Sequence, residues 1–243
     1  MSENGDYKIL PWDSDYFGFS VASILNNRHS AESLLNILNE LKNKYVRLVY
    51  WASDSNDAVS MDAAKNCNGF LADKKTTFRR ELDNFVHFIN SEDSGIVEYT
   101  LDIATPELLN LGILSGEYSR FRVDKNIQRE KFEGLYKLWV INSVNKKVAD
   151  SIYVKNHENK AGAMVTLQKK ENTGIIGLIA VDKVLQGKNI GTALVNKALI
   201  WSKQNGCEIA KVVTQYDNKP ACRLYEKCGY SIEKIENFYH FWL

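Results

Sequence analysis

The sequence predicts an α/β fold with a mixed β-sheet, on three observations. Apolar strand-like segments alternate with amphipathic helical segments along much of the chain, as in a sheet covered by helices. Hydrophobic residues make up 44% of the chain and charged residues 25%, which is typical of globular proteins. The 243 residues suit one large domain or two unequal ones, because a single core rarely grows beyond about 250 residues.

The N-terminal elements follow from periodicity and from end signals. Residues 32–41 have helical spacing of apolar side chains, and residues 46–51 form an apolar strand. A second helix is predicted at 58–67, and Asn68-Gly69 is typical of a left-handed helix end.

The C-terminal elements alternate between strands and helices, which indicates an α/β domain with a mixed sheet. A polar turn at 157–160 lies between two apolar strands and is typical of a hairpin. The predicted elements are helix 135–142, strands 152–154, 161–168 and 177–181, helix 191–204, strand 209–215, helix 220–227 and a final strand pair within 231–243.

Charge and cysteine content argue against several classes of protein. Lys and Arg number 31 against 30 Asp and Glu, so the net charge of +1 gives no reason to expect a nucleic-acid partner. The four cysteines form no CxxC pair and no zinc-site spacing with histidine, so we expect reduced thiols and no metal. No signal-peptide pattern and no apolar run near the roughly 20 residues of a membrane helix occur, so we expect a cytoplasmic protein without a membrane partner.

The periodicity breaks at residues 83–95, in DNFVHFINSEDSG, although no linker rich in glycine or serine divides the chain. We therefore predict an N-terminal α/β domain at 1–90 and a second, larger domain at 91–243.

The loop at residues 186–191 is the most informative segment, because it joins an apolar strand to an amphipathic helix. Successive backbone N–H groups and the positive end of the helix dipole then point at one spot, which indicates an anion site, most naturally for phosphate. Asp182 and Asn189 stand where a Walker A loop needs glycine and Ser or Thr, and no GxGxxG is present. A turn that binds no ligand is the alternative.

The segment from Val181 to Gly191 resembles the acetyl-CoA signature of the GNAT N-acetyltransferases, V-x-P-x-x-(R/Q)-G-x-G-x-G/A, with Lys183 at the proline and Asn189 at one glycine. Asparagine tolerates positive φ, so the turn can persist. The resemblance implies the GNAT acetyltransferase fold, a mixed, splayed central sheet flanked by helices, with acetyl-CoA as co-substrate. The residues that it implies for acetyl-CoA binding are Val181, Leu185, Gln186, Gly187, Lys188, Asn189, Ile190, Gly191, Thr192 and Asn218.

A second GNAT signature, N-x-x-A-x-x-L-Y-x-x-x-G-(F/Y), is matched from Asn218 to Tyr230. The resemblance implies that Asn218 hydrogen-bonds the pantetheine arm and that Tyr225 donates a proton to the departing thiolate. A tyrosine, with an ordinary pKa of about 10, stays protonated at neutral pH until the thiolate forms. The alternative for Tyr225 is a core aromatic residue.

Four further segments resemble the TDP-fucosamine acetyltransferases: residues 10–19, 119–124, 136–143 and 237–243. Their shared order implies an acceptor of the dTDP-4-amino-4,6-dideoxyhexose type. Arg120 and Arg122 would grip its diphosphate, or would lie on one face of a strand, paired with surface carboxylates. Asn142 would orient the sugar or would cap a helix.

The N-terminal domain resembles a partial GNAT fold. Residues 49–56, followed by Ala63 and Gly69-Phe70, echo the order of strand, Asn, helix and Gly-aromatic at 212–230. Lys65 stands where the C-terminal segment has its tyrosine, so this domain is predicted to lack the catalytic apparatus; chance similarity is the alternative.

The sequence thus predicts an acetyl-CoA-dependent N-acetyltransferase that acts on a nucleotide-linked amino sugar by direct attack, in polysaccharide biosynthesis. Two alternatives are a GNAT enzyme for a peptide or protein amine and a non-catalytic acyl-CoA-binding module. The neutral charge favours the nucleotide sugar, no general base can be assigned, and a homodimer is left open.

Overall fold

A computed structural model describes residues 5–83 and 95–243. The Cα positions form two compact units, residues 1–76 with 235–243 and residues 77–234. Among the described residues, no helix has the length and apolar character needed to cross a membrane.

The first unit combines short strands with three helices. Its elements are β1 (Tyr7–Ile9), α1 (Pro11–Phe17), β2 (Val21–Ile24), α2 (Ala31–Asn43), β3 (Leu48–Asp54), α3 (Ala58–Asn66), the start of β4 (Phe70–Glu81) and the end of β10 (Ser231–Trp242). Strands β1, β2, β3 and β10 follow one another in the sheet, and only β2 and β3 of these neighbours are parallel. The core contains Trp51 from β3, Leu34 and Leu38 from α2, and Phe241 from β10.

The N-terminal predictions for helices 32–41 and 58–67 and strand 46–51 are confirmed as α2, α3 and β3. Side chains close both helix starts, since Ser30 accepts a hydrogen bond from the N–H of Ser33 and Asp57 from that of Ser60. After α3, Asn68 has the expected left-handed φ, 57°.

The second unit contains the predicted phosphate loop. Its elements are the end of β4, β5 (Ile96–Glu98), α4 (Pro106–Ser115), α5 (Arg120–Val123), α6 (Arg129–Val144), β6 (Ser151–His157), β7 (Lys160–Lys170), β8 (Thr173–Val181), a 3₁₀ turn (Lys183–Leu185), α7 (Ile190–Gln204), β9 (Ile209–Gln215), α8 (Lys219–Lys227) and the start of β10. Its strand order is β4-β9-β8-β7-β6-β5, and β8 and β9 are parallel. The predicted hairpin is confirmed, because β6 and β7 are antiparallel and Glu158 and Asn159 both have positive φ, as a two-residue turn requires.

Two sequence predictions are wrong. The final segment is one continuous strand, β10, and not a strand pair, because its residues pair without interruption with β3 from Glu236 to Trp242. Residues 119–124 do not form a strand with alternating faces. Arg120 and Arg122 belong instead to the short helix α5, and the N–H of Arg122 donates to the carbonyl of Ser119 at 2.9 Å.

The parallel pair β8 and β9 separates after a short pairing. Hydrogen-bonded partners extend from Thr173 opposite Ile209 to Ile176 opposite Val212, although both strands continue beyond these points. The separation begins at a bulge in β8. Ile176 pairs with Leu167 of β7 and Ile179 pairs with Val165, so β8 has one residue more than β7 between these two pairs. A bulge bends and twists its strand, and here it turns β8 away from β9.

The predicted domain boundary at residue 90 lies in 84–94, outside the described residues. The division into domains 1–90 and 91–243 stays a prediction. The Cα grouping differs from it at the C-terminus, because residues 235–243 join the first unit through the pairing of β10 with β3.

Candidate active site

A cavity of about 640 Å³ opens where β8 and β9 separate. Its wall is built from the ends of α4 and β8, the loop before α7, and α8. The structure brings nine of the ten residues predicted to bind acetyl-CoA, and Tyr225, to this one wall: Val181, Leu185, Gln186, Gly187, Asn189, Ile190, Gly191, Thr192, Asn218 and Tyr225.

Two side-chain hydrogen bonds stabilise the conformation of the loop before α7. The Asp182 carboxylate accepts a hydrogen bond from the N–H of Val184 at 3.0 Å, which begins the 3₁₀ turn. The Gln186 amide donates to the carbonyl oxygen of Val181 at 3.0 Å, which ties the loop back to the end of β8. Gly187 has a φ of 76°, and a Cβ atom there would have no neighbour within 4 Å, so its surroundings are open to a ligand.

The N-terminus of α7 points free donors at the cavity. The first hydrogen bond within the helix runs from the N–H of Ala193 to the carbonyl of Asn189, at 3.1 Å. The N–H groups of Ile190, Gly191 and Thr192 therefore have no acceptor inside the helix, and all three residues line the cavity. Donors at the positive end of a helix form a site for phosphate oxygens.

The backbone of β8 presents one further donor. The N–H of Asp182 donates to Gly162, at the β7 side, at 2.8 Å. Because successive N–H groups of a strand point to opposite edges, the N–H of Val181 points away from β7 and toward the gap beside β9.

Tyr225 lies in α8 and is 2% exposed. Its ring packs 5.6 Å from that of Phe78 and 6.0 Å from that of Tyr230. Burial raises the pKa of Tyr225 above its ordinary value, with smaller contributions from the neighbouring thiols of Cys222 and Cys228. The residue is thus a core aromatic that also lines the cavity, and its role as a proton donor stays a prediction.

Residues 117–230 match the family described as the Acetyltransferase (GNAT) family. This part of the chain, a little under half of it, is similar to the GNAT acetyltransferases. A GCN5-related N-acetyltransferase from Sphaerobacter thermophilus has the same fold, with a TM-score of 0.65 at 13% identity, over 97% of this chain and 76% of that one. The fold prediction of a splayed GNAT sheet is therefore confirmed.

Two curated proteins are similar to parts of the chain. The spore coat polysaccharide biosynthesis protein SpsD of Bacillus subtilis is 27% identical over 124 residues, which are 51% of this chain and 43% of that protein. N-alpha-acetyltransferase 30 of Xenopus laevis is 36% identical over 67 residues, 28% of this chain and 24% of its own. The matches thus span less than half the length of either relative.

Asn218 also stabilises the start of a helix in the second unit. Its Oδ1 accepts a hydrogen bond from the N–H of Ala221 at 3.2 Å and so caps α8. The cap occupies the oxygen, which leaves the Nδ2 group as the donor for a ligand.

Four of the predicted site residues do not line the cavity: Lys188, Arg120, Arg122 and Asn142. The guanidinium of Arg120 lies 4.0 Å from the centre of the Phe121 ring, and Arg122 Nε lies 3.6 Å from Glu117 Oε2. The surface-carboxylate alternative thus describes Arg122 correctly. Asn142 lies within α6, near its end, and its carbonyl accepts from the N–H of Lys147 at 2.8 Å.

Sequence reasoning missed the part of the wall that α4 and the following turn contribute. Leu114, Ser115, Glu117 and Tyr118 line the cavity, and Glu117 is the only acidic residue of its described wall. No local pattern marks these residues, because they reach the cavity through the packing of α4 on β7 and β8. Thr166 was missed too: its Oγ1 accepts from the N–H of Leu178 at 2.8 Å and stabilises the bulge.

Proposed function

We propose that this protein is an acetyl-CoA-dependent N-acetyltransferase. The observation that carries the proposal is one cavity that combines the open N-terminus of α7, the gap between β8 and β9, and Tyr225. A binding module needs the first two features, but a buried tyrosine beside the gap gives the site a proton donor as well.

The residues fit acetyl-CoA at its phosphate end. The free N–H groups of Ile190, Gly191 and Thr192 would hold the pyrophosphate, and the open backbone at Gly187 lets it approach. Acetyl-CoA would supply an acetyl group activated as a thioester.

The acceptor amine would attack the thioester directly, so that a C–N bond forms as the C–S bond breaks, and water would take the proton that the nitrogen loses. The chain supplies positioning and charge stabilisation. The N–H of Val181 would stabilise the negative charge that develops on the carbonyl oxygen. Tyr225 would hold its proton at the phenol oxygen and donate it to the departing sulfur. Its raised pKa keeps the hydroxyl protonated in the free site, and it also makes the phenol a weaker acid.

We propose a nucleotide-linked amino sugar of the dTDP-4-amino-4,6-dideoxyhexose type as the acceptor, in polysaccharide biosynthesis. The similarity to a spore coat polysaccharide biosynthesis protein supports a sugar, and the net charge of +1 gives a peptide acceptor no special support. The positions of Arg120, Arg122 and Asn142 off the cavity wall remove support for their part in holding this acceptor.

A peptide amine is the second candidate acceptor, because 67 residues of the chain are 36% identical to N-alpha-acetyltransferase 30 of Xenopus laevis. Release of thiol from acetyl-CoA separates the candidates, with dTDP-4-amino-4,6-dideoxygalactose and an unblocked peptide as acceptors. We expect kcat/KM for the sugar to exceed that for the peptide by at least about tenfold. Turnover of the peptide alone would exclude the sugar but keep the acetyltransferase. Binding of acetyl-CoA without turnover of any amine would leave the non-catalytic module.

A further inference from the structure

The departure of Asn189 from the GNAT signature glycine has a partner elsewhere in the fold. Asn189 keeps the left-handed backbone of a glycine, with a φ of 58°, and it lies at the N-cap of α7. Its side-chain Oδ1 accepts a hydrogen bond from Lys227 Nζ at 3.4 Å. Lys227 is the last residue of α8, 38 positions away in the chain, so glycine at position 189 could not make this contact.

The Lys227 ammonium has a free charge at this position. Among the described residues, Lys227 forms no salt bridge, and its side chain is exposed. The Asn189 oxygen is neutral, so the contact orients the ammonium and leaves its charge uncompensated. Lys227 is not among the residues that line the cavity, but its partner Asn189 is, and the open N–H groups of α7 beside Asn189 already favour an anion.

From this contact we infer that Lys227 is part of the anion site and contributes a cation to the phosphate groups of the acyl-CoA. Asn189 acts as a positioning residue, because its side-chain oxygen places the ammonium beside the loop. The inference rests on the proposed use of acetyl-CoA, and it adds a residue that the signature loop does not contain. A charged hydrogen bond to phosphate is stronger than a neutral one, so the lysine adds to the affinity that the backbone donors provide.

Calorimetric titration with acetyl-CoA tests the inference without an acceptor. Lys227→Met should raise the Kd by about three- to tenfold, the range of a partly exposed ion pair with phosphate. Lys227→Arg should keep the Kd within about twofold, since it retains the charge. The matched control is Lys203→Met, an exposed lysine in the last turn of α7, which should leave the Kd unchanged. The affinity of the unmodified protein should also fall more steeply with added salt than that of Lys227→Met.

A double-mutant cycle tests the role of Asn189. If Asn189 places the ammonium, Lys227→Met should cost less than about twofold in the Asn189→Gly background, because the lysine there is no longer oriented. Equal losses in both backgrounds would overturn the positioning role.

Titration with dephospho-CoA separates the two phosphate sources. A loss that persists with dephospho-CoA assigns Lys227 to the pyrophosphate, and a loss confined to acetyl-CoA assigns it to the 3′-phosphate. An unchanged Kd for Lys227→Met would overturn the inference while acetyl-CoA binding by the unmodified protein still supports the proposed function. Failure of the unmodified protein to bind acetyl-CoA would overturn both.

Discussion

At the scale of single residues, Tyr225 combines packing with chemistry. Its ring lies in the core beside Phe78, and the same residue forms part of the cavity wall. Tyr225→Phe removes one hydroxyl and keeps the ring, so the two roles can be measured apart. We expect kcat to fall by about 10²–10⁴-fold, the usual cost of losing a positioned acid, with little change in the Kd of acetyl-CoA.

The matched control is Tyr216→Phe, since Tyr216 is exposed and follows β9 in the same unit. That change should leave kcat within about twofold. Unchanged kcat in a folded Tyr225→Phe protein would assign Tyr225 to the core alone.

Two buried tyrosines predict a pH dependence of stability. Burial raises the pKa of both Tyr225 and Tyr230 above the ordinary value. In the unfolded chain both lose their protons near pH 10, while the folded protein keeps them, so the unfolded state binds fewer protons there. The free energy of unfolding should therefore be constant with respect to these groups below about pH 9 and should fall as the pH rises past about 10.

Denaturant titration between pH 8 and pH 11 checks this dependence. The fall should be smaller for Tyr225→Phe, which removes one of the two groups. An identical slope in both proteins would show that Tyr225 ionises alike in the folded and unfolded states.

At the scale of elements, the bulge in β8 creates the gap that the site uses. Thr166 is 2% exposed, and its hydroxyl is the acceptor for the N–H of Leu178. Thr166→Val keeps the shape and removes the acceptor, so a partly buried N–H loses its partner at a cost of about 1 kcal/mol in the free energy of unfolding. We also expect a higher Kd for acetyl-CoA, because β8 carries the donor at Val181.

Chemical denaturation and calorimetry measure both effects. Thr173→Val is the control, because the Thr173 hydroxyl makes only an exposed contact to Asn172 at 3.4 Å. Its expected cost is below about 0.5 kcal/mol. An equal cost for the two valine variants would remove the special role of the bulge.

The contact between α7 and α8 limits side-chain size at Gly191. A Cβ atom there would lie 3.2 Å from Leu224 Cδ2, so one methyl group requires a small shift of a flexible side chain. Gly191→Ala should change the Kd of acetyl-CoA little, whereas Gly191→Val adds two further methyl groups and should raise it by about tenfold or more. Circular dichroism should show both variants folded. Equal Kd values for the two variants would contradict close packing at this position.

At the scale of the whole molecule, the last part of β10 belongs to the first unit. Phe241 in β10 is 2% exposed and belongs to the same core as Trp51. Phe241→Ala should cost about 3–5 kcal/mol, the usual range for a buried phenylalanine. Hydrogen exchange should localise the loss of protection to peptides from residues 5–76.

The control for this change is Ile232→Ala in the same strand, because Ile232 is 43% exposed and should cost less than about 1 kcal/mol. Loss of protection confined to residues 95–230 would contradict the assignment of the strand end to the first unit.

We also propose that the first unit is a degenerate partial acetyltransferase fold, which the order β3, α3, β4 supports.

Local order along the chain was readable from the sequence. The loop from Gln186 to Gly191, the helix after it and the hairpin turn at Glu158 and Asn159 depend on residues close in sequence, so their spacing predicts them. The final strand was divided wrongly, because its continuity comes from pairing with β3 rather than from its own residues.

By itself, the sequence determined the type of fold and most of the cavity wall that we propose for acetyl-CoA, since signature residues at fixed spacings form a local structure. Only the tertiary structure decided the rest of the wall. It brought Glu117 and Tyr118 to the cavity, left Arg120 and Arg122 off it, and set Lys227 beside Asn189. The physical reason is that these relations join segments far apart in the chain, and they depend on packing that no local pattern encodes.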